Sequence, residues 1–226
     1  MINITCMMTE ITKGMKSIGP KYIYKHNSKS LIEYQIHYIK KYKSKINLNL
    51  ILGFGADKIK KQLEKQKNIK INYLYNSNYL NEESGGNFKI AIKNFNSKKE
   101  SGMLIMNNGI LANINWERYI KKSTLNKIFY TDETCRNFNL GFDNNGEYLF
   151  YDLPNTWLEI IYLNKRTVLE LQENIPEAIY DNMFLFEIIN LLKEKSHLNF
   201  ETIKLPHNKL FKFNSPKDSK YLAEFL

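Results

Sequence analysis

MINITCMMTEITKGMKSIGPK, residues 1–21, is the stretch on which the reading of the fold turns. Residues 1 to 7 form a strand-like run that is mostly apolar. A polar loop then carries Gly14, Gly19 and Pro20 together with Lys13, Lys16 and Lys21. A strand that passes into such a loop suits an open parallel sheet, in which ligands bind outside the carboxyl ends of the strands near a change of strand order. Glycines allow close backbone approach, and lysines and backbone amides attract an anion. Taken alone, the loop is a phosphate cradle or a surface turn with incidental lysines. It contains neither GxxxxGKS/T nor GxGxxG, so it is neither a P-loop nor a dinucleotide fingerprint.

Outward from this stretch, strand and helix periods alternate through the first half, the pattern of strands joined by helical crossovers. Ser30 stands as a cap before a helix from Leu31 to about Tyr42, with Ile32, Ile36 and Ile39 on one face. Asn47 to Phe54 reads as a strand, a helix with Ile59 and Leu63 follows, and Ile69 to Tyr75 is a third strand. After a loop at 76–86, Asn87 to Phe95 reads as a helix and Met103 to Met106 as a short buried strand. The second half changes character. Lys127–Tyr130, Leu140–Phe142, Tyr148–Tyr151 and Trp157–Leu163 are short strands separated by turn residues such as Asn144, Asn145 and Gly146, expected as hairpins flanking the sheet. Arg166–Glu173 and Asn182–Lys195 read as helices, the latter with a core-facing stripe of Met183, Phe186, Ile189 and Leu192. The fold class expected is α/β, a three-layer α/β/α sandwich around a mixed, mostly parallel sheet, with residues 1–226 as one domain.

With 43% hydrophobic and 25% charged residues in 226, the chain has the composition of a globular protein rather than a disordered one. The two cysteines, Cys6 and Cys135, are too few for a disulfide framework and form no ligand pair, so a reducing, cytoplasmic setting is expected. No leader pattern opens the sequence, and no apolar run reaches the roughly 18 residues of a membrane span, so no membrane partner is expected. The net charge of +10 attracts polyanions, but the lysines are scattered along helical segments (Lys40, Lys41, Lys43, Lys45; Lys58, Lys60, Lys61, Lys65, Lys67). Solvated helix faces account for them, and nucleic acid is not the expected partner. The four histidines show no zinc spacing, and no GxSxG elbow is present.

The order of segments after the first loop resembles the nucleotidyltransferase-like family, which includes the sugar-phosphate nucleotidylyltransferases and phosphocholine cytidylyltransferases. Gly14, Lys16, Pro20-Lys21 and Leu31-Ile32-Glu33-Tyr34-Gln35-Ile36 fall in the family's order. Gly53-Phe54-Gly55 with Ala56-Asp57-Lys58-Ile59, Tyr75-Asn76-Ser77-Asn78-Tyr79, and Ser84-Gly85-Gly86-Asn87-Phe88 follow suit. The resemblance covers most of residues 1–110, and more loosely Tyr180-Asp181-Asn182-Met183 to the C-terminus. It implies transfer of a nucleoside monophosphate from a nucleoside triphosphate to a sugar phosphate or small phosphorylated alcohol, with release of pyrophosphate. Under it, Lys16 lies on the triphosphate and Lys21 neutralises charge at the transferring phosphorus. Gly14, Asn76, Ser84, Gly85, Gly86 and Asn107 contact the nucleotide, and Mg2+ is the implied cofactor.

Departures from the family pattern concern the loop and the metal. Where the family opens on Leu-Ala-Ala-Gly, this chain has Met8-Thr9-Glu10-Ile11. Where the family places a magnesium-binding aspartate after its fourth strand, this chain has Asn107-Asn108-Gly109. The family's later Glu-Ile-Asp is matched by Lys212-Phe213-Asn214 ahead of Ser215-Pro216-Lys217-Asp218. Asn108 and Asn214 therefore stand as neutral counterparts of the metal ligands. Magnesium is usually held by one or two carboxylates plus substrate phosphates, so another acid is required, with Glu10, Asp132, Asp143 and Asp181 as candidates. The alternative is a catalytically inactive relative that binds a nucleotide or nucleotide sugar.

Overall fold

A computed structural model describes the chain except residues 43–45, 65, 67, 68, 108, 122, 134, 144, 145, 147 and 175–178. Lys43, Lys45, Lys65, Lys67, Asn108, Asn144 and Asn145 of the sequence reading lie outside the described residues. Strand β1 (Ile2–Met8) is buried along its whole length. Past the first loop, a two-residue pair, β2 (Lys25–His26) and β3 (Lys29–Ser30), leads into helix α1 (Leu31–Lys41). Ser30 caps α1 as the sequence reading expected: Glu33 Oε2 accepts from the Ser30 amide at 2.8 Å and from its hydroxyl at 2.7 Å. This reciprocal cap fixes where the helix starts.

Strand β4 (Ile46–Leu52), helix α2 (Ala56–Leu63), strand β5 (Ile71–Tyr75), helix α3 (Ser84–Lys93) and strand β6 (Gly102–Met106) complete a parallel unit. β1 pairs with β4 on one side, in register from Ile2↔Ile46 to Met8↔Leu52, and with β6 on the other. β5 lies beyond β4. The chain therefore leaves β1 in one direction and later returns to its opposite side, which opens a crevice between the carboxyl ends of β1 and β6.

The remaining elements are β7 (Ile110–Ala112), α4 (Trp116–Ile120), β8 (Asn126–Thr131), β9 (Leu140–Phe142), β10 (Leu149–Tyr151) and β11 (Thr156–Asn164), then α5 (Lys165–Asn174), α6 (Leu185–Ser196), β12 (Phe200–Lys204), β13 (Leu210–Lys212) and α7 (Ser219–Phe225). Here the structure corrects one expectation. The later strands do not flank the sheet; they extend it, with β11 antiparallel to β6 and carrying β8 and β9 on its far side. The burial of Trp157 through Leu163 shows why: a strand buried on both faces has to lie inside a sheet. Among the described residues the main sheet has nine strands, ordered β10-β9-β11-β6-β1-β4-β5, with β8 on β11 and β12 parallel on β8.

Side-chain alternation along β1 and β4 divides two layers of core. Ile4, Cys6, Leu48 and Leu50 pack with Ile32, Ile36 and Ile39 of α1 and with Ile59 and Leu63 of α2. Met7, Ile51 and Ile105 pack on the opposite face with Phe88 and Ile92 of α3, Val168 of α5 and Ile189 of α6. Each fully buried aliphatic side chain of this kind stabilises the fold by about 1.5–3 kcal/mol. The stripe on α6 is core, as its spacing predicted: Phe186, Ile189 and Leu192 are buried. That helix starts three residues later than expected, because the Phe184 amide donates to Glu187 Oε2 at 2.7 Å and sets the first turn there, after a separate 3-10 turn at Tyr180–Asn182.

Helix α3 begins three residues earlier than periodicity indicated, at Ser84-Gly85-Gly86, and tertiary contact supplies what propensity lacks. The amides of Glu83 and Gly85 donate to the carbonyls of Asp181 and Met183, and the Leu185 amide donates to Ser84 Oγ at 2.7 Å. A Cβ on Gly85 would stand 1.7 Å from the Tyr180 carbonyl oxygen, so only glycine permits this approach. Gly85→Ala is expected to cost about 2–3 kcal/mol by forcing the 180–185 segment away. The denaturant midpoint is the check, and an unchanged midpoint would contradict this packing.

Candidate functional site

A cavity of about 780 Å³ lies where the topology opens the crevice, within the usual size range of small-molecule sites. Thr9 to Lys13 line it from the end of β1, Asn107 from the end of β6, and Tyr79, Leu80, Glu82, Glu83, Ser84 and Asn87 from the β5–α3 connection. The second half closes it: Asn137, Asn139, Leu140 and Tyr151 around β9 and β10, Trp157 and Glu159 of β11, Phe184 to Phe186 at the start of α6, and Lys212 and Asn214. One side of this cavity is polar and charged, and the other carries aromatic rings.

Of the residues singled out in the sequence, Ser84, Asn107 and Asn214 line the cavity. Asn76 is buried one step behind the wall, where its amide donates to Asn87 Oδ1 at 3.1 Å and to Glu82 Oε2 at 3.0 Å. Asn87 in turn donates to Thr9 Oγ1 at 2.8 Å, so Asn76 positions two residues that do face the cavity. Gly85 and Gly86 lie in the first turn of α3. Gly14 has a φ of +78° and, like Lys16, is exposed in the loop beyond the wall. The loop folds on itself there: the Met15 amide donates to Thr12 O, and the amides of Ile18 and Gly19 donate to Met15 O. The Thr9–Lys13 half of the loop is thus the part that faces the cavity. Asn108 lies outside the described residues.

Lys21 is 1% exposed and its ammonium donates to Glu10 Oε2 at 2.7 Å. Two features fix it. Gly55, with a φ of +66°, packs against the Pro20 ring and holds the loop on the N-terminus of α2, and the Tyr22 hydroxyl donates to Met7 O while accepting from the Gly109 amide at 2.7 Å. Lys21 Nζ lies 3.0 Å from where a Cβ on Gly109 would stand, so the charge sits between the ends of β1 and β6 behind Glu10 and is not itself among the residues that line the cavity.

Two charged residues that the sequence reading did not place together dominate the opposite wall. Glu159 interrupts the apolar run of β11 with a φ of +55°, at a register shift between Trp157 and Ile161. A bulge of this kind re-aims a side chain, and a left-handed backbone at a residue other than glycine costs energy that a site can exploit. Its carboxylate pairs with Lys212 and accepts from Asn107 Nδ2 at 2.8 Å, while the Asn107 amide donates to Glu159 O at 3.1 Å. The available signal was a lone carboxylate and a lone ammonium, each inside an apolar run, in Trp157–Leu163 and Leu210–Phe213.

These donors do not fit a magnesium ion. Asn107 and Asn214 are neutral, and both oxygens of Glu159 are engaged, one by Lys212 and the other by Asn107. Of the four acids proposed from sequence, Glu10 reaches the cavity and is paired with Lys21, whereas Asp132 pairs with Lys204, Asp181 with Lys89, and Asp143 accepts from the Tyr148 amide. Among the described residues no three His, Cys, Asp or Glu side chains group as a metal site. An ion that prefers six oxygens including one or two carboxylates lacks that shell here.

Comparison with solved structures finds the same architecture across almost the whole chain. HddC from Yersinia pseudotuberculosis superposes with a TM-score of 0.73 at 16% identity, covering 99% of both chains. The CTP:phosphocholine cytidylyltransferase LicC from Streptococcus pneumoniae gives 0.71 at 14% identity, covering 99% of this chain and 98% of that one. The inositol-1-phosphate CTP transferase from T. maritima gives 0.75 at 10% identity, covering 99% and 95%. The chain shares the fold of these three structures. No family model matches the sequence, and no curated protein matches it significantly. The likeness thus resides in the fold, with 16% identity or less to these three relatives. Among the described residues no helix is long and apolar enough to cross a membrane.

The buried ammonium of Lys21 has a measurable consequence. Burial pushes its pKa below the ordinary lysine value of 10.5, and the Glu10 carboxylate opposes that shift. Between the lowered folded value and 10.5 the unfolded chain binds the proton and the folded chain does not, so stability rises with pH across that alkaline interval. Lys21→Met abolishes this rise and at neutral pH leaves the protein within about 1 kcal/mol of the wild type or more stable, since a half-exposed Glu10 is hydrated in its place. Urea denaturation as a function of pH tests this. A pH-independent difference, or a larger loss at neutral pH, would contradict it.

Proposed function

We propose that this protein is a nucleotidyltransferase that binds a nucleoside triphosphate in the switch-point cavity. It transfers the nucleoside monophosphate to a sugar phosphate or small phosphorylated alcohol. A phosphate oxygen of the acceptor attacks the α-phosphorus and forms the new P–O bond. The bond from that phosphorus to the bridging oxygen of the β-phosphate breaks, and pyrophosphate leaves with the electron pair. The observation that carries this reading is the buried Lys21 between the ends of β1 and β6, where this topology presents a ligand, with its partner Glu10 on the cavity wall. A desolvated cation aimed at developing phosphate charge lowers the barrier because it needs no reorganisation.

In this reading Lys21 acts on the transferring phosphoryl group, and Lys16, with Gly14 in the same exposed loop, meets the departing pyrophosphate. Ser84, Gly85 and Gly86 present the start of α3 to the nucleoside, and Asn76 holds Asn87 there. The rings of Tyr151, Trp157, Phe184 and Phe186 give the acceptor or base an apolar wall. A second reading, binding of a nucleotide or nucleotide sugar without turnover, has one specific observation in its favour: the asparagines at 107, 108 and 214 stand where the resembling family has its metal-binding aspartates.

The two readings separate in one assay. The protein is incubated with ATP, CTP, GTP or UTP and a panel of glucose 1-phosphate, inositol 1-phosphate and phosphocholine, and the mixture is followed by phosphorus NMR. The transferase reading expects pyrophosphate and a phosphoanhydride product in equal amounts, with turnover lowered about 100-fold or more in Lys21→Met. Thermal stabilisation by a nucleotide with no product supports the binding reading. Neither stabilisation nor product with any member of the panel would overturn both.

A further inference from the structure

The disagreement between the fold's implied metal and the donors present in this cavity points to a different source of positive charge. Lys212 ends β13, which pairs with β7 in the register Lys212↔Ile110, just after the loop from β6 that carries Asn107 and Gly109. Its side chain is 14% exposed and Glu159 is 5% exposed, so the pair lies at the bottom of the cavity rather than at its rim. Three contacts hold it there. Glu159 pairs with the ammonium, the Phe138 ring lies 5.5 Å from it, and the Lys212 carbonyl accepts from Asn137 Nδ2 at 2.7 Å. Lys212 also repels Lys21 electrostatically, which places two ammonium groups at the same end of the sheet.

Resting on the nucleotide reading above, we infer that Lys212 takes the place of a divalent cation: the nucleotide's phosphates are held between the ammonium groups of Lys212 and Lys21, and binding requires no metal. The charge balance supports this. Without ligand the two lysines are matched by Glu159 and Glu10, a neutral set that can be sustained in a partly buried site. An entering phosphate shares the Lys212 ammonium through its remaining N–H donors, since a lysine ammonium has three, and reaches Lys21, buried behind Glu10, by taking the place of Glu10 on it. Glu159 orients Lys212, and Asn107 locks Glu159 from its other oxygen. The Asn107 Oδ1 is buried and has no hydrogen-bond partner among the described residues, an acceptor left for a hydroxyl donor of the ligand. A dication at Asn107 would instead have to share the Glu159 carboxylate, to which Asn107 is bonded, with an ammonium already on it.

Isothermal titration with ATP, CTP, GTP and UTP, each in excess EDTA and in millimolar Mg2+, tests the inference on the wild type and on a Glu159→Gln/Lys212→Met variant. The double substitution removes both charges together, so it does not leave an unpaired buried carboxylate to unfold the protein. Expected for the wild type is a nucleotide affinity that changes by less than about threefold between EDTA and Mg2+. In the variant, affinity falls about tenfold or more and Mg2+ does not restore it. Lys212→Arg, which keeps the charge, retains most of the affinity. A wild type that binds only with Mg2+, or a double variant restored by Mg2+, would overturn the inference while leaving the nucleotide reading standing. Failure of every nucleotide to bind in both buffers would overturn the two together.

Discussion

The pairing of β1 with β4 on one side and β6 on the other is the constraint from which the rest follows. A parallel strand hydrogen-bonded on both edges and covered on both faces requires apolar side chains on both, and Ile4, Cys6 and Met7 supply them. That pairing forces the loops after β1 and β6 to part and leaves their carboxyl ends as the natural floor of a cavity. The polar side chains of β1 join a buried ladder: Asn49 donates to Asn3 and Thr5, and Asn72 donates to Asn47 and Asn49. A one-residue slip of any of these strands would move its apolar set to the wrong layer and strand its amides without partners, so the ladder fixes the register of the whole parallel unit.

The site built on this floor is made by two halves of the chain with different roles. The first half contributes the cavity-facing loop, Lys21 with its carboxylate partner, and the helix start at Ser84. The second half contributes Glu159, bent out of its strand by a bulge, and Lys212, and the two meet across 53 positions of sequence. Asn107 joins the halves by donating to Glu159 through both its backbone and its side chain. This cavity therefore sets two ammonium groups against two carboxylates, Lys212 with Glu159 and Lys21 with Glu10, beside the further lining charges of Lys13, Glu82 and Glu83. That distinguishes it from a carboxylate shell awaiting a dication, and the neutral residues at 107 and 214 are consistent with such an arrangement.

Much of the parallel unit was legible because its signals are local. Four apolar runs separated by helical periods, and a Ser30–Glu33 cap, depend only on neighbours in sequence. The second half was legible as strands but not as a sheet: nothing local says that Trp157–Leu163 pairs with β6, although its continuous apolar character marks burial on both faces. The pair β7 and β13, at three residues each, and β12, whose residues are mostly exposed, carry no period strong enough to read. In the site, the glycines at 85 and 86 and the asparagine at 107 were legible as positions, whereas the Glu159–Lys212 pair was not, since it exists only through long-range pairing and a bulge. Asp132, Asp143 and Asp181 were reasonable acids to nominate from sequence, but folding commits them to other partners.

In the proposed arrangement the phosphates of a nucleotide lie at the carboxyl ends of β1 and β6, between Lys21 and Lys212. A crystal structure of the wild-type protein soaked with a nucleoside triphosphate in the presence of EDTA tests this most directly. Phosphate density is expected within hydrogen-bonding distance of both ammonium groups, with Glu159 still on Lys212 and no third cation between them. Phosphates bound elsewhere on the surface, or in the cavity but out of reach of both lysines, would contradict it.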